Sequence, residues 1–300
     1  MASGKMESMT QGPRIGFVGI GIMGAPMVRR LLAKGWQVSV WNLEAERYAQ
    51  VPGAAVLDSP AAVRAASDIV IFCVLHGDAV EECCFGPHGL ARSQSGASLL
   101  IDTSTINPDR TLVLAERLKH ETGMGWVDAP ISGGPAAAGE GQLTIMMGGE
   151  TSDVTKAGAV LADLAANLTH IGALGAGQTA KIINQAIVGV GYVLMGETLA
   201  LAEAAGIDAS RLPAALAGGM ADSTVLKRIY PQQHARDYDP PRGYARQLDK
   251  DLKNVMAFIK AHGLELPLVA RAAARYHDFA AGNDMADSAA VARLYEKAKS

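Results

Sequence analysis

The chain has 300 residues, 49% of them hydrophobic, which is enough to bury a large core, and chains of this length usually split into two domains. Its formal net charge is -3, with 27 Lys and Arg scattered rather than massed, so no electrostatic footprint for nucleic acid or an anionic membrane is present. A small-molecule partner is expected instead. The three cysteines, Cys73, Cys83 and Cys84, are odd in number and lack the spacing of a disulfide scaffold or a metal site, which points to structural thiols in a reduced, cytoplasmic protein.

Residues 1–12 are polar, lack the apolar centre of a signal peptide and are expected to be disordered and tag-like. No apolar run approaches the roughly 20 residues that a membrane helix needs. From Arg14 the chain reads as strand (RIGFVG), tight turn and helix (Ala25 to Lys34), stopped by Gly35. Gln37 to Trp41 reads as a second strand, Ser59 to Ala66 as a helix, and Asp68 to Leu75 (DIVIFCVL) as a third strand. Its continuous apolarity suits a parallel sheet buried on both faces. Ser98 to Asp102, Gly125 to Asp128 and Thr144 to Met147 read as further strands, with a helix over Pro108 to Lys119. Strands alternating with helices imply right-handed crossovers and a doubly wound α/β sheet.

After Gly172 the pattern changes. Gln178 to Ala205 is compatible with one helix of about 28 residues, and Ser210 to Met220, Asp249 to His262 and Leu266 to Ala281 keep helical periodicity. Tyr230 to Gly243 (YPQQHARDYDPPRG), rich in proline and charge, reads as a loop. The expected organisation is a nucleotide-binding domain over 13–174 and an all-helical substrate and oligomerisation domain over 175–300, joined through the long helix.

Three constellations carry chemistry. Gly19, Gly21 and Gly24 form GxGxxG between a strand and a helix. The first glycine permits the turn, the second lets backbone approach a pyrophosphate, the third allows close packing, and the helix N-terminus faces the phosphates. This is the signature of a Rossmann domain binding NAD or NADP, with Ile22 and Met23 inside the same turn. About 18 residues past Gly24, where an acidic residue usually takes the ribose diol, stands Asn42. The segment Asp128 to Gly141 (DAPISGGPAAAGEG) follows a strand end, and its Ser132, Gly133 and Gly134 offer a hydroxyl and unhindered N–H groups suited to a carboxylate. Lys181, Asn184 and Gln185 fall at i, i+3 and i+4 on one helix face. A lysine among Ala180, Ile182, Ile183 and Ala186 is expected to be desolvated and its pKa lowered into a catalytic range.

Taken together, GFVGIGIMG, DTST (Asp102 to Thr105), DAPISGG, GAGQTAKIINQ (Gly175 to Gln185) and KDLKN (Lys250 to Asn254) resemble, in order and over nearly the whole chain, the β-hydroxyacid dehydrogenase family, which includes 3-hydroxyisobutyrate dehydrogenase and tartronate semialdehyde reductase. The resemblance implies an NAD(P)-dependent oxidoreductase acting on a small β-hydroxy carboxylate. It implies Lys181 as catalytic lysine, Ser132 to Gly134 as holders of the substrate carboxylate, and Asn184 or Gln185 assisting at the reacting oxygen. It further places Leu75, His76 and Thr105 beside the cofactor and Lys250 near the nicotinamide. His76 departs from the proline common in the family, and Leu43 stands where many NADPH-using members carry arginine. NAD is therefore expected, with NADP possible but less favoured. The histidines His88, His120, His170, His234 and His262 show no ligand spacing, and no metal is expected. A homodimer or homotetramer is expected, because a helix about 42 Å long needs its apolar sides covered. Two other readings compete. Imine reductases share this architecture but tend to place another residue at the lysine, and a non-catalytic dinucleotide-binding module would need no titratable group beside the nicotinamide.

Overall fold

The computed structural model describes residues 12–296. The expectation of a disordered, tag-like start therefore lies, apart from Gly12, outside the described residues. The chain divides into two compact units, one of residues 12–104 and Pro108–Gly177, the other of Thr105–Asn107 and residues 178–296.

In the first unit, β1 (Ile15–Val18) is IGFV with all four residues buried, as a strand covered on both faces requires. Parallel neighbours flank it: β2 (Val38–Trp41) with β3 (Ala55–Val56) beyond on one side, and β4 (Ile69–Phe72), β5 (Leu99–Asp102) and β6 (Gly125–Asp128) in turn on the other. β7 (Ile131–Ser132) and β8 (Leu143–Gly148) pair antiparallel, and β9 (Ala165–Gly172) adds to β8 in parallel. The order β3-β2-β1-β4-β5-β6-β8-β7 reverses direction at β1, so connections leave β1 and β4 on opposite sides and open a crevice at their carboxyl ends. The sheet is thus doubly wound and mostly parallel, with an antiparallel extension. Helices α1 (Gly24–Ala33), α2 (Pro60–Ala66), α3 (Gly77–Phe85), α4 (Pro108–Thr122), α5 (Gly134–Glu140) and α6 (Thr151–Leu161) complete this unit. Its core runs from Ile15 and Phe17 through Met27, Val40, Ile71 and Ile101 to Ile145 and Val160, all buried.

Arg64 of α2 lies in this interior, 5% exposed, with its guanidinium donating to the carbonyls of Leu90, Ser93, Ala97 and Thr122 at 2.8 to 3.4 Å. Backbone dipoles from loops distant in sequence converge on one cation, and burial lowers its pKa.

The second unit is helical. α7 (Ala176–Ala204) buries Val193, Met195, Leu199 and Ala202 against α9 (Thr224–Ala235), α10 (Ala245–Ala261) and α11 (Pro267–Ala280), with the short α8 (Leu212–Ala215) between α7 and α9 in sequence. A Cβ at Gly189 would stand 2.4 Å from Leu252 of α10, so a glycine there sets how near the two helices come.

Several expectations need correction. The segment Tyr230 to Gly243 is a loop only in part, because α9 runs through Pro231 to Ala235. Ser223 caps the helix by accepting from the Leu226 N–H at 3.0 Å, and burial of Leu226, Ile229 and Tyr230 outweighs the bond that Pro231 cannot donate. Ser210 to Met220 is a 3-10 turn, the four residues of α8 and then turns, since Gly218 adopts φ +73° and ends any helix. Against the expectation of no apolar run of membrane-spanning length, α7 is long and apolar enough to cross a membrane by length and composition alone, because Glu197 and Glu203 are its only charges after Lys181.

Candidate active site

The glycine turn after β1 gives each of its glycines a separate physical reason. Gly19 has φ +102°, and a Cβ there would meet the Cys73 carbonyl at 2.4 Å. At Gly24 a Cβ would lie 1.9 Å from the Gly19 carbonyl, which binds α1 closely against the turn. A Cβ at Gly21 would meet nothing within 4 Å. Packing forbids a side chain at Gly19 and Gly24, while Gly21 borders open space at the head of a helix, the cradle a pyrophosphate needs. On this observation the residues fit a dinucleotide. Ile22 and Met23 continue the turn into α1.

Asn42, at the end of β2, is buried and its amide is committed within the protein: Oδ1 accepts from the Ile20 N–H at 2.6 Å, and Nδ2 donates to the backbone and side chain of Glu44. After β4, Leu75 is exposed, and His76 caps α3 by accepting from the Ala79 N–H at Nδ1 across 3.2 Å. Histidine does here with its ring what proline at this position could not. Ser132 ends β7, partly buried, and is followed by Gly133 at φ +137° and Gly134 at φ +82°. The two glycines turn the backbone sharply from β7 into α5, in conformations closed to other residues.

In the second unit the structure links four of the predicted residues, Asn184, Gln185, Lys250 and Thr105, through Asp251, and Lys181 interacts electrostatically with Asp251 and Lys250. Lys181 and Gln185 of α7 are buried, and Asn184 partly so. Asn184 Nδ2 donates to Gln185 Oε1 at 2.7 Å, and Gln185 Nε2 donates to Asp251 Oδ2 of α10 at 2.6 Å. Lys250 Nζ lies 3.0 Å from Asp251 Oδ1 and donates to the Thr105 carbonyl at 3.0 Å, so Thr105 and Lys250 meet directly. Burial pushes the Lys181 amine down to about 8; Asp251 pulls it up and Lys250 pushes it down further. Asp251 stands inside the KDLKN stretch, but the sequence assigns it no role, because its partner Gln185 is 66 residues away. Among the described residues no group of three or more His, Cys, Asp or Glu is placed to hold a metal ion.

Comparison with known proteins fits this arrangement. Residues 14–172 match the NAD-binding domain of 6-phosphogluconate dehydrogenase, and residues 175–295 match the family described as NAD-binding of NADP-dependent 3-hydroxyisobutyrate dehydrogenase. The chain is 33% identical to 2-hydroxy-3-oxopropionate reductase of Escherichia coli, over 94% of this chain and 97% of that protein. It belongs to the β-hydroxyacid dehydrogenase family. Another β-hydroxyacid dehydrogenase, the 3-hydroxyisobutyrate dehydrogenase of Pseudomonas aeruginosa, is 33% identical over 86% of this chain and 89% of its own length. The solved Mycobacterium tuberculosis 3-hydroxyisobutyrate dehydrogenase, in a structure described with L-serine, superposes with a TM-score of 0.85 at 30% identity, covering 95% and 99% of the two chains. An imine reductase from a Pseudomonas species shares the fold, with a TM-score of 0.64 at 22% identity. The chain is thus an NAD(P)-dependent hydroxyacid dehydrogenase with an NAD(P)-binding Rossmann domain.

Proposed function

We propose that this β-hydroxyacid dehydrogenase interconverts a small β-hydroxy carboxylate and its semialdehyde, with Lys181 as the proton-transferring residue and NAD as the preferred cofactor. The observation that carries the reading is the buried Lys181 amine with a pKa near 8, on the same helix as the Asn184–Gln185 amide pair. A lysine in that range is both an effective acid and an effective base near neutral pH. The relatives' substrates support the class: 2-hydroxy-3-oxopropionate is a semialdehyde of this kind, and L-serine, in the solved mycobacterial relative, is a β-hydroxy acid.

The nicotinamide ring, when bound, supplies hydride acceptance and donation. The chain's own residues do the rest. Gly19, Gly21, Ile22, Met23 and Gly24 would hold the pyrophosphate and Leu75, His76, Thr105 and Lys250 would serve the remainder of the dinucleotide, while Asn42, its amide committed to Ile20 and Glu44, would act by bracing the turn. Ser132, Gly133 and Gly134 hold the substrate carboxylate through the hydroxyl and backbone N–H groups. In oxidation the neutral Lys181 amine takes the hydroxyl proton, and in reduction the ammonium returns it to the carbonyl oxygen. Asn184, or Gln185 in its place, directs an amide group at the reacting oxygen, and holding that geometry lowers the entropic barrier. The test is absorbance at 340 nm with 3-hydroxyisobutyrate and glycerate, whose β-hydroxyls are primary, and for contrast with threonate, whose β-hydroxyl is secondary, and 4-hydroxybutyrate, whose hydroxyl is γ, with Lys181→Ala as partner. Turnover of at least one acid is expected, with kcat lowered at least about 100-fold in the variant. Comparable turnover in the variant removes Lys181 from the mechanism, and turnover of cyclic imines with no hydroxy acid oxidised makes the protein an imine reductase.

The same α7 supports a homodimer or homotetramer. Ile187, Leu194 and Leu201 recur at intervals of seven, are 66%, 45% and 69% exposed, and form with Ile183 an apolar stripe that a second copy would cover. Light scattering at micromolar concentration is expected to give a multiple of the chain mass, and a monomeric mass overturns the assembly.

A further inference from the structure

The carboxylate that dinucleotide-binding folds usually place at the end of the second strand is absent from that position, but one stands two residues further on. Glu44 Oε2 accepts from Asn42 Nδ2 at 2.8 Å, and the Glu44 carbonyl accepts from the same nitrogen at 3.1 Å. Both amide hydrogens of Asn42 are spent on Glu44, while Asn42 Oδ1 holds the N–H of Ile20, the residue between Gly19 and Gly21. Tyr48 braces the backbone of the same residue: its hydroxyl accepts from the Asn42 N–H at 3.0 Å and lies 2.9 Å from the Asn42 carbonyl. One buried amide thus ties the phosphate turn to a carboxylate on an exposed residue. Asn42 keeps no N–H for a ribose hydroxyl. A carboxylate, by contrast, has about four lone-pair sites, of which the Asn42 contact uses one.

We propose that Glu44, positioned by Asn42, is the residue that accepts the adenosine ribose hydroxyls of the bound dinucleotide and selects against a 2′-phosphate. The inference rests on the NAD preference proposed above and assigns it to one side chain. A 2′-phosphate brings nearly two negative charges and no hydroxyl hydrogen to donate, so it meets repulsion where the diol meets two acceptors. Leu43, 80% exposed, supplies no compensating cation.

Dissociation constants for NAD, NADP and 2′-deoxy-NAD, measured by calorimetry on the full chain, test the assignment without reference to turnover. Glu44→Gln keeps an oxygen for the Asn42 amide and removes only the charge; Glu44→Ala removes both. The unmodified protein is expected to bind NAD at least about tenfold more tightly than NADP, a ratio that Glu44→Gln reduces to within about threefold. Loss of the 2′-hydroxyl should weaken binding in the unmodified protein and make little difference in Glu44→Ala, a coupling that a merely structural Glu44 would not produce. Equal affinities for NAD and NADP in the unmodified protein overturn the NAD preference itself. A preference that survives intact in both Glu44 variants, with the 2′-hydroxyl effect unchanged, overturns the role of Glu44 alone.

Discussion

Gln185 Nε2 and Asp251 Oδ2 are 2.6 Å apart, a hydrogen bond that joins α7 to α10 four residues after the buried Lys181. In the proposed mechanism it makes Asp251 a positioning residue in two senses. It orients the amide relay through Gln185 to Asn184, and its charge raises the pKa of an amine that burial lowers. In Asp251→Asn the Lys181 amine is expected to titrate lower than in the unmodified protein, and kcat to fall about tenfold as the relay loosens. The pH profile of kcat distinguishes this from general damage: a lower rate with an unmoved inflection would show that Asp251 does not act on Lys181.

The proton-transfer role proposed for Lys181 fixes opposite pH trends in the two directions. Reduction needs the ammonium, so its rate should fall as pH rises through about 8, while oxidation needs the free amine and should rise over the same range. Profiles with the same slope in both directions would contradict the assignment.

Stability should register the same group. Between about 8 and the ordinary lysine value of 10.5 the unfolded chain keeps a proton that the folded chain has released. Stability contributed at this position therefore rises with pH across that interval, by about 3 kcal/mol at the limit, and is lowest below pH 8. Urea denaturation at pH 7.5 and 9.5 should show the unmodified protein gaining on Lys181→Met as pH rises. A constant difference would mean that the folded amine titrates like an ordinary lysine.

Two neighbouring glycines should respond differently to one added methyl. Gly24→Ala drives a Cβ to 1.9 Å from a backbone oxygen that cannot yield, with an expected cost of about 2 to 3 kcal/mol. Gly21→Ala meets nothing, so folding should change by less than about 1 kcal/mol while NAD affinity falls at least about tenfold, because the methyl occupies the phosphate approach. Thermal melts with and without NAD separate the two, and unaltered NAD binding by Gly21→Ala would show that the pyrophosphate lies elsewhere.

Arg64 offers a stability test remote from the cofactor turn. Arg64→Met takes a donor from four carbonyls, of which that of Leu90 keeps the Ser93 N–H at 3.1 Å, and is expected to cost about 3 kcal/mol, with Arg64→Lys recovering only part because one ammonium cannot span them. A urea midpoint unchanged in Arg64→Met would mean that water replaces the guanidinium at no net loss.

The parts of the fold legible in the sequence are those where one local pattern suffices. β1, the glycine turn and α1 announce themselves because apolar run, glycine spacing and helical periodicity coincide within twenty residues. β3 is two exposed residues, and β9 (AANLTHIG) is mostly exposed beside β8, so neither carries an alternation that marks a strand. α3 (GDAVEECCF) carries no helix start signal in the sequence, because its start depends on a histidine acting as cap. At the site, Lys181, Asn184 and Gln185 follow from helix spacing, but Asp251 lies 66 residues from Gln185 and only packing of α10 on α7 joins them. The convergence on Arg64 is likewise long-range, drawing carbonyls from as far as Thr122.

The depressed pKa of Lys181 has a chemical cost as well as a use. At pH 7.5 an amine titrating near 8 is unprotonated in about a quarter of molecules, against about one in a thousand for an ordinary lysine. An unprotonated amine is a nucleophile, and in the proposed reaction every reductive cycle brings an aldehyde to it. Slow self-modification during turnover, faster at higher pH and relieved by excess hydroxy acid, is the failure mode that such a lysine builds into the enzyme.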